Sequence, residues 1–156
     1  IVLERGYIGD RFAYSSIGLN GLNGRAEFPP APDDGGARFR SFGVPIRDYE
    51  EGGDHVLLVG QVHGDMSLQG RDLTPWYAQA ARDAERVYGL PVIFRQHPME
   101  ARKGIRRTVH GCQNHTGDLY DAMNHARAVV TYNSNTGVDS ILYITRDRKS
   151  GSAGKP

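Results

Sequence analysis

Three short apolar runs constrain this chain more than anything else in it. They are His55-Val56-Leu57-Leu58-Val59-Gly60-Gln61, Pro91-Val92-Ile93-Phe94 and Ala128-Val129-Val130-Thr131-Tyr132. Each is too short for a helix and too continuously apolar for a half-solvated antiparallel strand. Runs of this kind read as parallel strands buried on both faces. Between the first two, Thr74-Pro75 reads as an N-cap with proline at N1. Behind it Tyr77, Ala81, Ala84 and Tyr88 recur at helical spacing, with Arg82, Asp83, Glu85 and Arg86 on the other faces. Gly89 fits the C′ position. Strand and helix alternating through short connections imply a parallel sheet with right-handed crossovers. The expected class is therefore α/β, a Rossmann-like parallel sheet flanked by helices.

The rest of the chain is less regular. Ile1 to Tyr7 reads as a strand running into a turn, and Phe12 to Phe28 as short strands and tight turns. Pro29 to Gly36 is the clearest loop. Met99 to Thr116 is basic and fits no period. Asp118 to Ala126 reads as a short helix with Leu119, Met123 and Ala126 on one side. A further helix should start near Thr136 or Gly137 and carry Val138, Ile141 and Leu142. Three regions follow: an irregular strand and turn segment over 1–50, an α/β domain over 51–144, and a polar tail over 145–156 that reads as disordered or artificially appended. A doubly wound sheet would continue with another strand where the tail begins, so the domain reads as cut short after Ile144. The start at Ile1 likewise reads as a processed or fragmentary product. A missing neighbour strand would leave a sheet edge able to drive homo-oligomerisation.

Composition narrows the function. A net charge of +1 argues against strong electrostatic capture of nucleic acid, which normally needs a clustered basic face. Mean hydropathy is −0.52, and no apolar stretch approaches the roughly 20 residues that cross a bilayer. The single cysteine, Cys112, excludes an internal disulfide and fits a reducing, cytoplasmic setting. His110 and His115 flank it, but a structural zinc site needs four ligands, usually with paired cysteines. Cys112 reads as part of a polar surface loop, and no metal is expected.

The ends of the apolar runs carry the chemistry. In open α/β sheets ligands sit beyond the carboxyl ends of the strands. His97, stiffened by Pro98, could donate to a phosphate or stabilise a leaving phosphate; the dipeptide alone favours a hydrogen-bonded loop histidine. Ser134, Asn135, Thr136 and Gly137 lie at a strand-to-helix turn that suits an anion, and the same residues make an ordinary helix cap. Gly60 and Gln61 follow the strongest strand, with Asp65 and Ser67 beyond them. Glu4 is a candidate general base on an acceptor hydroxyl, or a salt-bridged strand residue. Trp76 reads as core or lid. Arg95, Arg102, Lys103, Arg106 and Arg107 form the one basic cluster, fit for a diphosphate or for plain solvation.

Taken in order, Glu4-Arg5-Gly6-Tyr7, Leu58-Val59-Gly60-Gln61 with Asp65-Met66-Ser67, Gln96-His97-Pro98, and Thr131 to Gly137 with Asp139-Ser140 resemble the capsule polysaccharide synthesis glycosyltransferases. The bacterial Kdo transferases are the most similar type, and bacterial sialyltransferases are more distant. The resemblance implies the two-domain GT-B fold, of which this chain would be the donor-binding half. It implies a CMP-linked donor as substrate with no separate cofactor, and a glycan acceptor as partner. By the same resemblance Glu4 is the base, and His97 is the phosphate ligand and leaving-group stabiliser. Pro98, Ser134, Asn135, Thr136 and Gly137 become phosphate contacts, and Gly60-Gln61 part of the donor cleft. Arg5 stands where that family carries a second acidic residue. The Phe12 to Arg25 segment also resembles uncharacterised phage proteins, which implies modification of DNA or of a surface glycan. A non-catalytic nucleotide- or polyanion-binding module remains the alternative.

Overall fold

Alternating exposure along Val2–Arg5 marks β1 as a strand with one open face. It pairs antiparallel with β2, Ser15–Gly18, in a register from Val2 against Gly18 to Arg5 against Ser15. An isolated antiparallel bridge joins Leu19, just after β2, to Glu27. Inside the connecting turn Arg11 Nε donates to the Gly6 carbonyl at 2.8 Å, and the Arg5 guanidinium lies 4.6 Å from the centre of the Phe12 ring. Short strands and tight turns are thus what this segment forms. It also holds a helix that no sequence pattern announces, α1, Ala37–Ser41. The Asp34 carboxylate fixes its approach by accepting from the Gly36 and Arg38 N–H groups, each at 2.8 Å.

The computed structural model describes residues 1–21, 26–28, 30, 32–44, 46 and 52–143. The expected tail from 145 and the expected loss of a strand after Ile144 lie outside them. The chain divides into two compact units, 1–46 and 47–156.

The second unit runs β3 (His55–Val59), α2 (Thr74–Tyr88), β4 (Val92–Arg95), α3 (Pro98–Arg102), β5 (Gln113–Asn114), α4 (Leu119–Asn124), β6 (Ala126–Thr131) and α5 (Thr136–Tyr143). Its sheet has the order β5-β4-β3-β6, with every pairing parallel. β3 is central and buried along its whole length, as its unbroken apolar run requires. Alternate residues of β3 point to two cores. Val56 and Leu58 pack with Tyr77, Ala81 and Ala84 of α2 and with Phe94 and Val109. Leu57 and Val59 pack with Ala122, Met123 and Ala126 on the other face. The protein is therefore an α/β structure with a four-stranded parallel sheet flanked by helices.

Four local expectations need correction. Thr74 does not cap α2; Leu73 holds the cap position, and the Asp72 carboxylate accepts from both the Thr74 N–H and its hydroxyl, at 2.9 and 2.8 Å. Tyr88 continues the helical period but is exposed, because it lies in the last turn beyond the sheet. Ala126 is buried, yet it opens β6 instead of closing α4, whose cap residue is His125. The basic stretch that fits no period contains α3 and the two-residue β5.

At the amino end of the sheet the buried His55 ring ties β3 to α4. Its Nδ1 lies 2.6 Å from Asp54 Oδ1 and its Nε2 3.1 Å from the Ala122 carbonyl. The bond to His55 holds the Asp54 carboxyl below its ordinary value. Among the described residues no helix is long and apolar enough to cross a membrane.

Candidate functional site

Counted from β3, the strand order reads third, second, first, fourth, which is how a doubly wound sheet begins. β3 and β6 are the neighbours between which the direction of winding reverses. In open α/β sheets it is beyond the carboxyl ends at such a point that ligands bind. The residues there are Gly60-Gln61 after β3 and Asn133 to Gly137 after β6.

Gln61 and Asn133 grip one another across this junction. The Gln61 side-chain amide donates to Asn133 Oδ1, and the Asn133 backbone N–H donates back to Gln61 Oε1 at 3.1 Å. Asn133 Nδ2 also donates to the Ser67 carbonyl at 3.2 Å. The Gln61 backbone N–H donates to the Tyr77 hydroxyl at 2.8 Å. Trp76 packs edge-on against Tyr77 and Tyr132, which places it on the core side, as core or lid would have it. Gly60 has a packing reason for lacking a side chain: a Cβ there would lie 3.1 Å from the Phe94 ring and 3.2 Å from the Arg95 carbonyl.

After β6, Ser134 caps its own turn. Its hydroxyl oxygen lies 3.2 Å from both the Thr136 N–H nitrogen and Thr136 Oγ1, and its carbonyl accepts from the Gly137 N–H at 3.0 Å. The Asp139 N–H is taken by the Asn135 carbonyl. Asn135 Nδ2 donates to Asp139 Oδ1 at 3.3 Å, while Asn135 Oδ1 is buried with no partner among the described residues. A Cβ at Gly137 would meet Thr131 Cγ2 at 3.0 Å, so glycine here lets α5 approach its own strand.

His97 stands beyond β4 and serves as the N-cap of α3, with Pro98 following at the start of the helix. Its Nδ1 accepts from the Met99 N–H at 3.1 Å. That role leaves the ring hydrogen on Nε2, a donor available to an incoming anion. Burial pushes the imidazole below its ordinary value, against the opposite pull of the Glu100 and Asp65 carboxylates. NMR titration of the His97 ring should therefore give a midpoint below the ordinary value of about 6.5. A depressed histidine favours folding only while neutral. Its contribution is full above the unfolded value and fades as pH falls toward the folded one.

No motif or period points to the group beside it. Glu100 is 2 % exposed, although it lies next to a basic run. Arg107 Nε bonds both of its oxygens, at 3.0 and 2.8 Å, and the His63 N–H donates to Oε1 at 2.9 Å. Gln96 completes the knot: its Nε2 donates to the Ile105 carbonyl at 2.7 Å, and its Oε1 accepts from the Arg107 N–H at 3.1 Å. Burial alone would raise the Glu100 carboxyl. The His63 N–H and the Arg107 guanidinium outweigh it and hold the group below its ordinary value. The one signal in the sequence is positional: Glu100 is third after the His97 cap, where a carboxylate favours a helix start.

The basic cluster is divided accordingly. Arg107 belongs to Glu100, and Arg95 Nη2 donates to the Gly117 carbonyl at 2.9 Å. Arg102, Lys103 and Arg106 are exposed. Cys112 lies between exposed residues, His110 and Gly111 before it and Gln113 after it, but its side chain packs partly buried against the α2 face of the core, and burial pushes its thiol up. No group of three metal-type side chains gathers among the described residues. Glu4 belongs to the 1–46 unit, where the Tyr7 hydroxyl donates to its Oε2. Burial and that carboxylate push the Tyr7 hydroxyl up to about 12. Comparison with protein-family models, with curated proteins and with solved structures gave no match.

Proposed function

We propose that the 47–156 unit binds a nucleotide-activated sugar beyond the carboxyl ends of its sheet, as the donor-binding half of a glycosyltransferase of the GT-B type. The observation that carries the reading is the reversal of winding between β3 and β6, with Gly60-Gln61 and Asn133 to Gly137 at its mouth and the His97 Nε2 donor at the next strand end. In this reading the His97 N–H receives the phosphate and stabilises the leaving nucleotide, and the turn capped by Ser134 lies against the phosphate. A glycan hydroxyl is the acceptor.

Calorimetric titration with CMP, UDP and GDP tests it. One nucleotide should bind saturably to the wild type. His97→Asn separates the two roles of the residue, because asparagine is a good N-cap but does not carry the imidazole donor. Binding should be lost in both His97→Asn and His97→Ala. Stability should fall only in the alanine variant, by about 1 kcal/mol. Wild-type affinity in both variants would sink the reading.

A non-catalytic nucleotide-binding module is the second reading. It is favoured by the Gln61–Asn133 grip and by the self-capped Ser134 turn, which leave fewer groups facing a ligand. Donor hydrolysis by the intact chain, abolished in Glu4→Gln, would rule it out.

A further inference from the structure

His55 opens β3 at the amino end of the sheet and is 5 % exposed. Two oxygen atoms hold its ring. Asp54 Oδ1 lies 2.6 Å from Nδ1, and the Ala122 carbonyl oxygen lies 3.1 Å from Nε2. Neither oxygen can donate. A backbone carbonyl only accepts, and the Asp54 carboxyl, held below its ordinary value, is ionised at neutral pH. A neutral imidazole has one hydrogen for these two acceptors, and its bare nitrogen would turn a lone pair toward an oxygen. Both contacts are hydrogen bonds only when the ring carries both hydrogens. The second contact suits a cation. Ala122 belongs to the last turn of α4, where carbonyls lack partners from a following turn and cationic donors are favoured.

The surroundings let a proton come and go. The Asp54 side chain is 82 % exposed. The other titratable groups around the ring are Asp121 and His125 at the end of α4, and His115 after β5. With Asp54 and His55 they line an open groove of about 460 Å³. From β6 the neighbour of His55 is Ala126, with Arg127 after it.

We infer that His55 is a pH-sensitive latch: as an imidazolium it clamps α4 onto β3, and its deprotonation releases the Ala122 carbonyl and loosens α4. The carboxylate keeps the hydrogen on Nδ1, so the hydrogen that leaves is the one on Nε2. The packing of Ala122 and Met123 against Leu57 and Val59 then remains, without its buried polar tie. The inference is independent of the nucleotide reading, because the latch lies at the end of the sheet opposite to Gly60 and His97.

Residue-resolved nitrogen NMR of the histidine rings in the intact chain, with amide hydrogen exchange at each pH, tests the latch. At mildly acidic pH both His55 nitrogens should carry hydrogen. As pH rises Nε2 should lose its hydrogen. In step with it, the protection factors of the Ala122 and His125 amides should drop at least about tenfold, the loss of one charge-assisted bond. Asp54→Asn, at an exposed position, should move both events to lower pH together. If that variant fails to fold, the wild-type titration decides alone. A ring with one hydrogen at every pH, a ring with two up to unfolding, protection that does not follow the ring, or an unchanged profile in Asp54→Asn would each overturn the latch.

Discussion

Arg107→Ala is expected to destabilise the protein by about 3–5 kcal/mol at pH 7, and the deficit should narrow on acidification. The wild-type pair is a bidentate bond to a carboxylate that is 2 % exposed. Removing the guanidinium leaves a buried charge with only the His63 N–H and the Gln96 amide as donors. The sign of the pH dependence differs between the two proteins. In the wild type the folded Glu100 carboxyl titrates below its unfolded value. Its contribution is therefore present above about pH 4.3 and is lost as pH falls through the folded value. In the variant burial dominates, so the folded carboxyl titrates above its unfolded value. The variant then recovers stability as pH falls through that raised value. Urea unfolding of both proteins at pH 7 and near pH 4 gives the comparison. An equal deficit at the two pH values would show that Glu100 does not carry the cost. The double variant Arg107→Met with Glu100→Gln removes both charges and should regain most of the loss.

Phe94→Ala should cost a similar amount, about 3–5 kcal/mol, for a different reason. Phe94 is 1 % exposed and touches three regions of the fold at once. Its ring meets Tyr77 of α2, lies under the Gly60 turn, and belongs to the core cluster shared with Val109. Truncation leaves a cavity that the rigid sheet cannot collapse. The ring also explains Gly60, so the two positions should be coupled. Gly60→Ala alone should destabilise, because its methyl would lie 3.1 Å from the ring. In a Phe94→Leu background the penalty of the same change should be smaller, since the ring contact is gone and only the Arg95 carbonyl, 3.2 Å away, remains. Equal penalties in the two backgrounds would mean that the Arg95 carbonyl, and not the ring, enforces glycine there.

The legible stretches of this chain are those in which one physical demand repeats. β3, β4 and β6 show as apolar runs because both faces of a central parallel sheet are covered. α2 shows because Tyr77, Ala81 and Ala84 return to the same face. α3 and β5 are illegible because only Glu100 and Val109 in that stretch are buried, and two residues make no period. Glu100 is hidden further by its type: a glutamate among arginines reads as solvated, and its partners include the N–H of His63, thirty-seven positions away, beside Arg107. The cap of α2 is ambiguous because Asp72 and Thr74 are both good capping residues, and spacing does not choose between them. Of the candidate site, the strand ends follow from pattern alone. The hydrogen bonds of Gln61 do not, since the fold brings Asn133 to it from seventy-two positions away; those of Ser134 and His97 are local, and the cap at Ser134 is one of the two readings that its turn allows.

The mutual grip of Gln61 and Asn133 turns the crevice between β3 and β6 into a matter of timing. If the proposed donor site lies there, a guest seated between the two strand ends would compete with the amide contacts between them and with the bond from Asn133 to the Ser67 carbonyl. Entry then waits on how often the pair opens, so arrival should be slower than diffusion allows and should saturate at high guest concentration. Once separated, the same amides can close over whatever has entered, so a slow arrival would be matched by a slow departure.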